Sequence, residues 1–168
     1  MAAPRALILV AACFATGASL ATDFGNRTPD VKELVEALTP PPKTRGVAIV
    51  GAAAATRPKA SMQVGFEFAS SEVISADLVK LDRLAEALKD EGLRQHRFEV
   101  VGHTDGTGPL PVNMRLSKQR AEAVVDYLKK QGVEPDRLAT IGRGPKELLD
   151  PQHPDAAENR RVEVRLIR

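Results

Sequence analysis

Residues 102–121 read G-H-T-D-G-T-G-P-L-P-V-N-M-R-L-S-K-Q-R-A, and this stretch decides the fold of the C-terminal part of the chain. An apolar strand precedes it, and its glycine-rich beginning predicts a turn that carries Asp105. The residues after the turn predict an amphipathic helix. Asn113, Leu116 and Arg120 are spaced i, i+3 and i+7, so they share one helical face. The stretch is therefore a strand–turn–helix unit with an acid on the turn and a cation on the helix.

Asp105 and Arg120 have opposite charges and stand at positions that can converge on one pocket. Such a pocket would suit a ligand with both an ammonium and a carboxylate group. Asp105 would pair with the cation, and the planar Arg120 guanidinium would fork onto the anion. This geometry points to binding rather than catalysis. An internal Asp105–Arg120 ion pair would satisfy the same charges without any ligand, and the residues alone leave both interpretations open.

Apolar patterns on both sides of this unit predict a small α/β (α+β) domain. Period-2 alternation over residues 62–68 predicts a first strand. A helix capped by Ser75 follows and is closed by Gly92. The later elements are a strand over 97–103, a helix over 111–131, and short strands over 137–141 and 161–167. The order β-α-β-α-β-β favours right-handed crossovers and a small mixed sheet with its helices packed on one face.

Four blocks carry a resemblance to a known family. They read F-E-F-A-S-S-E at 66–72, G-H-T-D at 102–105, N-M-R-L-S-K-Q-R-A at 113–121 and N-R-R-V-E at 159–163. In this order they resemble the OmpA C-terminal-like (peptidoglycan-associated) domain, the module that ties outer membranes to peptidoglycan. The resemblance covers residues 61–168 and implies an α/β sandwich without catalytic activity.

The resemblance also implies the ligand. Asp105 and Arg120 would grip the diaminopimelate side chain of the peptidoglycan stem peptide. Asn113, Arg160 and Ser70 would lie in the same site. The expected partner is peptidoglycan, with envelope proteins as further candidates, and no cofactor is implied.

Four residues of these blocks need a further structural interpretation. Asn113 fits equally well as the N-terminal cap of its helix. Arg160 and Arg161 precede a strand, so one is expected at the site and the other in solvent, and Arg160 is assigned to the site by its match to the motif. His103 forms a short His-x-Asp pair, but no third ligand lies at a spacing useful for a metal. A strand histidine with a nearby hydrogen bond is expected instead.

The N-terminus resembles an export signal over residues 1–21, with a short basic start, an apolar stretch and Ser-Leu-Ala at positions 19–21. The apolar stretch is too short and too rich in small residues for a membrane span. Cys13 is the only cysteine, which excludes an intramolecular disulfide bond. Two interpretations of it stay open. Residues 10–13, V-A-A-C, resemble a lipobox that would make Cys13 the lipidated anchor to the outer membrane; otherwise Cys13 is removed with the signal.

Residues 22–60 are predicted to be a separate N-terminal segment. Pro29 stands at the start of a short helical pattern, which ends at the proline run of residues 40–42. An alanine-rich run at 52–55 follows and has no functional interpretation. The family-like domain is expected to begin at residue 61.

Composition excludes several function classes. The formal net charge is only +2 and basic residues are dispersed among acids, which argues against a nucleic-acid partner. No nucleophile–base pair and no phosphate-binding loop is recognisable. The resemblance and the export signal together imply a location in the periplasm, at the cell wall and outer membrane. The alternatives are a cell-wall peptidase or amidase, which would need a metal triad or nucleophile, and a stator-type motor component, which would need a membrane span.

Overall fold

The computed structural model describes residues 21–41, 57–67 and 70–167. Within these residues the chain forms five strands, three α-helices and three single-turn 3-10 helices. In chain order they are β1 (Ala21–Asp23), α1 (Val31–Leu38), β2 (Lys59–Met62), a 3-10 turn (Ser75–Asp77), α2 (Leu78–Leu88), β3 (Arg97–His103), α3 (Leu110–Lys130), a 3-10 turn (Pro135–Arg137), β4 (Leu138–Gly144), a 3-10 turn (Ala157–Asn159) and β5 (Val162–Ile167). None of the helices described here is both long and apolar enough to cross a membrane.

The strands described here form one mixed sheet in the order β1-β2-β5-β3-β4. β5 lies between β2 and β3 and runs antiparallel to both. β1 pairs with β2, and β4 with β3, in parallel. α3 makes the crossover between the parallel strands β3 and β4, as a β-α-β unit requires. The predicted order β-α-β-α-β-β is confirmed from β2 to β5, and so is the α/β class.

One face of the sheet carries the apolar core. Phe98 faces Leu166 and Val100 faces Val164 across the β3–β5 pair, and all four are buried. The helices add a leucine-rich layer over this face, with α3 against β3 and β4 and α1 against β2 and β5. Buried helix leucines that join the core are Leu34, Leu38, Leu81, Leu84, Leu88 and Leu128. Burying each such side chain contributes about 1.5–3 kcal/mol, so this leucine layer is a large source of stability.

Two glycines allow α3 to approach the sheet closely. A Cβ on Gly102 would overlap the carbonyl oxygen of Ser117, and a Cβ on Gly142 would lie 2.6 Å from the backbone nitrogen of Lys118. A larger residue at either position would have to push the helix away. This contact fixes the end of β3, and with it the loop of Asp105, against the N-terminal half of α3.

The described residues of the N-terminal segment, 22–41 and 57–60, are part of the same packed structure. β1 adds a strand that the sequence analysis did not predict, because three residues are too few for a recognisable alternation. The predicted short helix is confirmed as α1, and Leu34 and Leu38 on it are completely buried. Its start is fixed by a hydrogen bond of 2.9 Å from the backbone nitrogen of Asp30 to the Glu33 carboxylate.

The first predicted strand, over residues 62–68, lies further upstream than expected. β2 ends at Met62, and the chain then leaves the sheet, so that Phe66 forms only an isolated bridge with Val73. The backbone nitrogen of Gly65 donates to the Asp77 carboxylate at 2.7 Å instead of to a neighbouring strand. Beyond Met62, the backbone of this segment therefore donates to loop carbonyls and to the Asp77 side chain rather than to a neighbouring strand.

The opposite face of the sheet carries a buried ion cluster centred on Glu163. Its carboxylate is fully buried and accepts hydrogen bonds from Arg161 Nη2 at 2.7 Å and Arg165 Nε at 2.9 Å. The prediction that Arg161 points to solvent is wrong, since its side chain is only 4% exposed. Strand alternation turns residues 161, 163 and 165 to one face, and a buried carboxylate needs opposite charge beside it.

His103 lies on the edge of this cluster. It is buried, Nε2 is 3.7 Å from Glu163 Oε1, and neither ring nitrogen has a hydrogen-bond partner among the described atoms. The prediction of a hydrogen-bonded strand histidine is therefore wrong. Burial, reinforced by the positive charge of Arg161, lowers the pKa of His103 to about 4. In the described part of the chain, no three His, Cys, Asp or Glu side chains are grouped so as to hold a metal ion.

Candidate functional site

Asp105 lies on the loop that follows β3. Its Oδ2 accepts a hydrogen bond from Arg160 Nη1 at 3.0 Å, and its Oδ1 accepts from the backbone nitrogen and the hydroxyl of Thr107. Burial would raise the pKa of Asp105, but the hydrogen bonds from Thr107 and Arg160 outweigh it and hold the pKa below its ordinary value. At neutral pH the loop therefore presents a carboxylate that already interacts with a cation.

Arg120 projects from α3 towards the β2–α2 connection. Its guanidinium stacks over the Phe66 ring, 4.7 Å from the ring centroid, and Nε makes a long 3.5 Å contact with the carbonyl oxygen of Ser70. No carboxylate among the described residues lies within ion-pairing distance of Arg120. Burial, followed by the positive charge of Arg160, lowers the pKa of Arg120, and Asp105 acts in the opposite direction.

The internal Asp105–Arg120 ion pair, which was the alternative to ligand binding, is not formed. Asp105 pairs with Arg160 instead. That pair is partly exposed, with Arg160 at 45% and Asp105 at 16% side-chain exposure. Arg120 is left as a half-buried cation without a counter-ion in the described structure, and a charge in this position attracts an anion.

Asn113 has a different role from the cap that was predicted. α3 begins at Leu110 with Pro109 as its N-cap, so Asn113 lies inside the helix and the capping prediction is wrong. Its side chain is buried, and Nδ2 donates to the carbonyl oxygen of Thr107 at 2.7 Å. Asn113 therefore tethers the Asp105 loop to α3 and stands behind the site.

Asn159 is a residue of the site that the sequence analysis missed. Its fully buried Oδ1 accepts hydrogen bonds from the backbone nitrogens of Leu149 and Asp150, at 2.8 and 3.0 Å. Its Nδ2 donates to three carbonyl oxygens of the same loop, Pro154 among them. The Pro154 carbonyl also accepts from Gly106 N at 2.7 Å. Asn159 thus supports the Asp105 loop. Its position as the first residue of the N-R-R-V-E block was the sequence feature that could have identified it as a site residue.

A cavity of about 330 Å³ opens beside the two arginines. Polar and apolar groups from three connections and from α3 surround it. Its lining residues are Asn26, Gln63, Val64, Gly65, Phe66, Ile74, Asp77, Arg120, Ala157 and Arg160. Phe66 gives an apolar wall, and both guanidinium groups supply positive charge. The cavity suits a small ligand with an anionic group and a short apolar chain.

The structure brings together most of the predicted site residues, but not in equal roles. Arg120 and Arg160 line the cavity, and Asp105 adjoins it through its ion pair with Arg160. Ser70 contacts Arg120 through its carbonyl oxygen, while its hydroxyl accepts a hydrogen bond from the backbone of Glu72. Cys13 lies outside the described residues.

Comparison with known proteins identifies the family. The sequence profile described as the OmpA family matches residues 65–161, which is more than half of the chain. The chain belongs to the OmpA family. The matched segment contains Asp105, Arg120 and Arg160, and it begins after β1, α1 and β2.

Several relatives are named for peptidoglycan. The chain is 38% identical over 103 residues to the peptidoglycan-binding protein ArfA of Mycobacterium bovis, a match that covers 60% of this chain and 31% of that protein. It is 37% identical over 102 residues to the peptidoglycan-associated lipoprotein of Pseudomonas aeruginosa, covering 60% and 59%. The crystal structure of the peptidoglycan-associated lipoprotein from Burkholderia pseudomallei superposes with a TM-score of 0.54 at 29% identity, covering 67% and 92%. The chain thus spans less than two thirds of the two sequence relatives.

Proposed function

We propose that this OmpA-family protein binds peptidoglycan without catalysis and links the bacterial envelope to the cell wall. The observation that carries the proposal is Arg120, a half-buried cation without a counter-ion beside the Asp105 carboxylate. Relatives named peptidoglycan-binding and peptidoglycan-associated support it. The protein would be exported to the periplasm, with residues 1–21 as its signal and the family domain beginning near residue 61.

The ligand group we propose is the diaminopimelate side chain of the stem peptide, which ends in an ammonium and a carboxylate on one carbon. Asp105 would accept the ammonium, and Arg120 would hold the carboxylate in its planar fork. Arg160 would turn from Asp105 to the same carboxylate. That exchange costs little, because a partly exposed ion pair such as Asp105–Arg160 contributes only about 0–1 kcal/mol.

Co-sedimentation with isolated peptidoglycan sacculi tests this function. The wild-type protein should sediment with sacculi at moderate salt, whereas Asp105→Asn and Arg120→Lys should each bind about ten- to a hundred-fold more weakly. The first variant removes the charge that meets the ammonium, and the second removes the fork that meets the carboxylate.

Matched controls are available on α3. Asp126 and Arg115 are exposed and lie outside the cavity, so Asp126→Asn and Arg115→Lys should bind like the wild type. Melting temperatures of all four variants should stay close to the wild-type value, since water can solvate an open site. A wild-type protein that remains in the supernatant, or site variants that bind normally, would refute the proposal.

The cell-wall enzyme is the alternative that needs its own test. Muropeptides incubated with the purified protein should remain intact, with and without added zinc, when the products are separated by chromatography. Cleaved stem peptides would move the protein to the peptidase or amidase class.

The anchoring of the protein needs a separate experiment. Mass spectrometry of the mature N-terminus would distinguish a start at Thr22 from a diacylated Cys13 that anchors the protein to the outer membrane.

A further inference from the structure

The loop between β1 and α1 contributes a residue to the cavity. Asn26 lies on this loop and lines the cavity together with Arg120 and Arg160. It stands well before residue 65, where the match to the OmpA family begins. The cavity therefore has a wall that comes from this chain's N-terminal segment rather than from the matched domain.

A buried lysine fixes the position of Asn26. The side chain of Lys80 is 3% exposed, and its ammonium donates to Asn26 Oδ1 at 2.9 Å, to the carbonyl oxygen of Gln63 at 2.9 Å and to the Asp77 carboxylate at 2.7 Å. These three contacts use all three N–H donors of the ammonium. Lys80 thus ties the β1–α1 loop to the segment that follows β2.

This contact also settles which end of the Asn26 amide faces Lys80. A lysine ammonium can only donate hydrogen bonds, so the oxygen of the amide must face Lys80. The two N–H donors of Nδ2 then point away from Lys80. With Arg120 and Arg160 on the same cavity, three side chains present donors, while both oxygens of Asp77 are already engaged by Lys80 and Gly65.

We propose that Asn26 is a further ligand-contacting residue, which donates through Nδ2 to the carboxylate that Arg120 and Arg160 hold. This inference rests on the proposed binding of a diaminopimelate peptide. The ligand carboxylate would then have a neutral donor on one side and guanidinium groups on the other. The Asn26 amide can donate to a carboxylate oxygen of the ligand. It cannot donate to the amide nitrogen of an amidated ligand, because that nitrogen itself only donates hydrogen bonds, so Asn26 distinguishes the two forms.

Asn26→Asp separates ligand contact from a purely structural role. The aspartate still accepts from Lys80, so the loop should stay in place and the melting temperature should not fall. It replaces the donors facing the cavity with acceptors and a negative charge. Asn26→Ala loses both the donors and the contact to Lys80. Thr28→Ala, on the same exposed loop but outside the cavity, is the control.

The assay is calorimetric titration with a soluble stem tripeptide that contains diaminopimelate, in two forms. In one the side-chain carboxylate is free, and in the other it is amidated. Against the free form, Asn26→Asp should bind about ten-fold more weakly than the wild type and Thr28→Ala equally well. Against the amidated form, the penalty of Asn26→Asp should shrink to two-fold or less, because the ligand amide can donate to the new carboxylate.

Failure of this inference is distinguishable from failure of the proposed function. If the wild type binds and Asp105→Asn weakens binding, but Asn26→Asp binds both peptides like the wild type, Asn26 has only a structural role. If Asn26→Asp weakens binding of both peptide forms equally, the proposed contact between Asn26 and the carboxylate is also refuted. If the wild type binds neither the peptide nor sacculi, the proposed function is refuted, and so is the proposed role of Asn26 in ligand binding.

Discussion

Replacing Glu163 by glutamine is expected to destabilise the protein by about 3–5 kcal/mol at neutral pH. The substitution keeps the size of the side chain and removes its charge. Glu163 is fully buried between Arg161 and Arg165, with Lys59 Nζ at 3.4 Å. A neutral amide would leave these cations facing one another without a buried carboxylate, and its NH2 group would face guanidinium donors.

The lowered pKa of Glu163 gives an independent value for the free energy by which its charge stabilises the folded protein. Burial would raise it, but the hydrogen bonds and charges of Arg165 and Arg161 outweigh burial and lower it from 4.5 to about 2. One pKa unit corresponds to about 1.4 kcal/mol, so the folded protein stabilises the charged carboxylate by about 3 kcal/mol. Because the folded pKa lies below the unfolded one, this stabilisation is complete above pH 4.5 and is lost as the pH falls towards 2.

Urea unfolding at several pH values measures both quantities. The difference between wild type and Glu163→Gln should be about 3 kcal/mol at pH 7 and should fall to about 1 kcal/mol at pH 3. Glu99→Gln is the matched control, since Glu99 lies on the same sheet face, opposite Arg165 in the β3–β5 register. A loss below about 1 kcal/mol at pH 7, or a difference that does not change with pH, would refute the assignment of Glu163 as the centre of the cluster.

Three other parts of the structure give separate predictions. The wild type should lose about 3 kcal/mol of stability as the pH falls from 6.5 to 4, because protonation of the buried His103 favours unfolding, and His103→Gln should abolish this loss in urea titrations. Gly102→Ala should cost about 1–3 kcal/mol or more because its Cβ would overlap α3, whereas Gly92→Ala, whose Cβ meets only a flexible side chain, should be nearly neutral in thermal melts. Asn159→Ala should cost about 1–3 kcal/mol and accelerate amide exchange at Leu149, because it leaves backbone donors unpaired.

Local rules account for the parts of the site that the sequence predicted. Asp105 and Arg120 are only fifteen positions apart, within one strand–turn–helix unit whose geometry follows from helical and strand periodicity. The glycine-rich turn placed the acid at the end of β3, and the helical spacing placed the cation on the neighbouring face of α3. The same rules gave the order of the elements from β2 to β5.

Contacts between distant parts of the chain account for what was missed. Arg160 pairs with Asp105 across 55 positions, and Asn26 meets Lys80 across 54. No periodicity connects such residues, because their meeting depends on how strands order themselves in the sheet. β1 escaped prediction for the same reason: its place is fixed by pairing with β2 rather than by its own three residues.

The family motifs therefore combine residues of the candidate site with residues of the buried ion cluster. In N-R-R-V-E, Arg160 lines the cavity, whereas Arg161 and Glu163 belong to the cluster on the sheet face opposite the core. In G-H-T-D, Asp105 belongs to the site, and His103 belongs to the cluster. A substitution in either motif can thus reduce the proposed binding to peptidoglycan in two ways, by losing a ligand contact or by losing folded protein. Equal losses of binding would then have different causes. Binding per folded molecule is the quantity that separates the two, because only residues on the cavity side should change it while leaving the unfolding free energy intact.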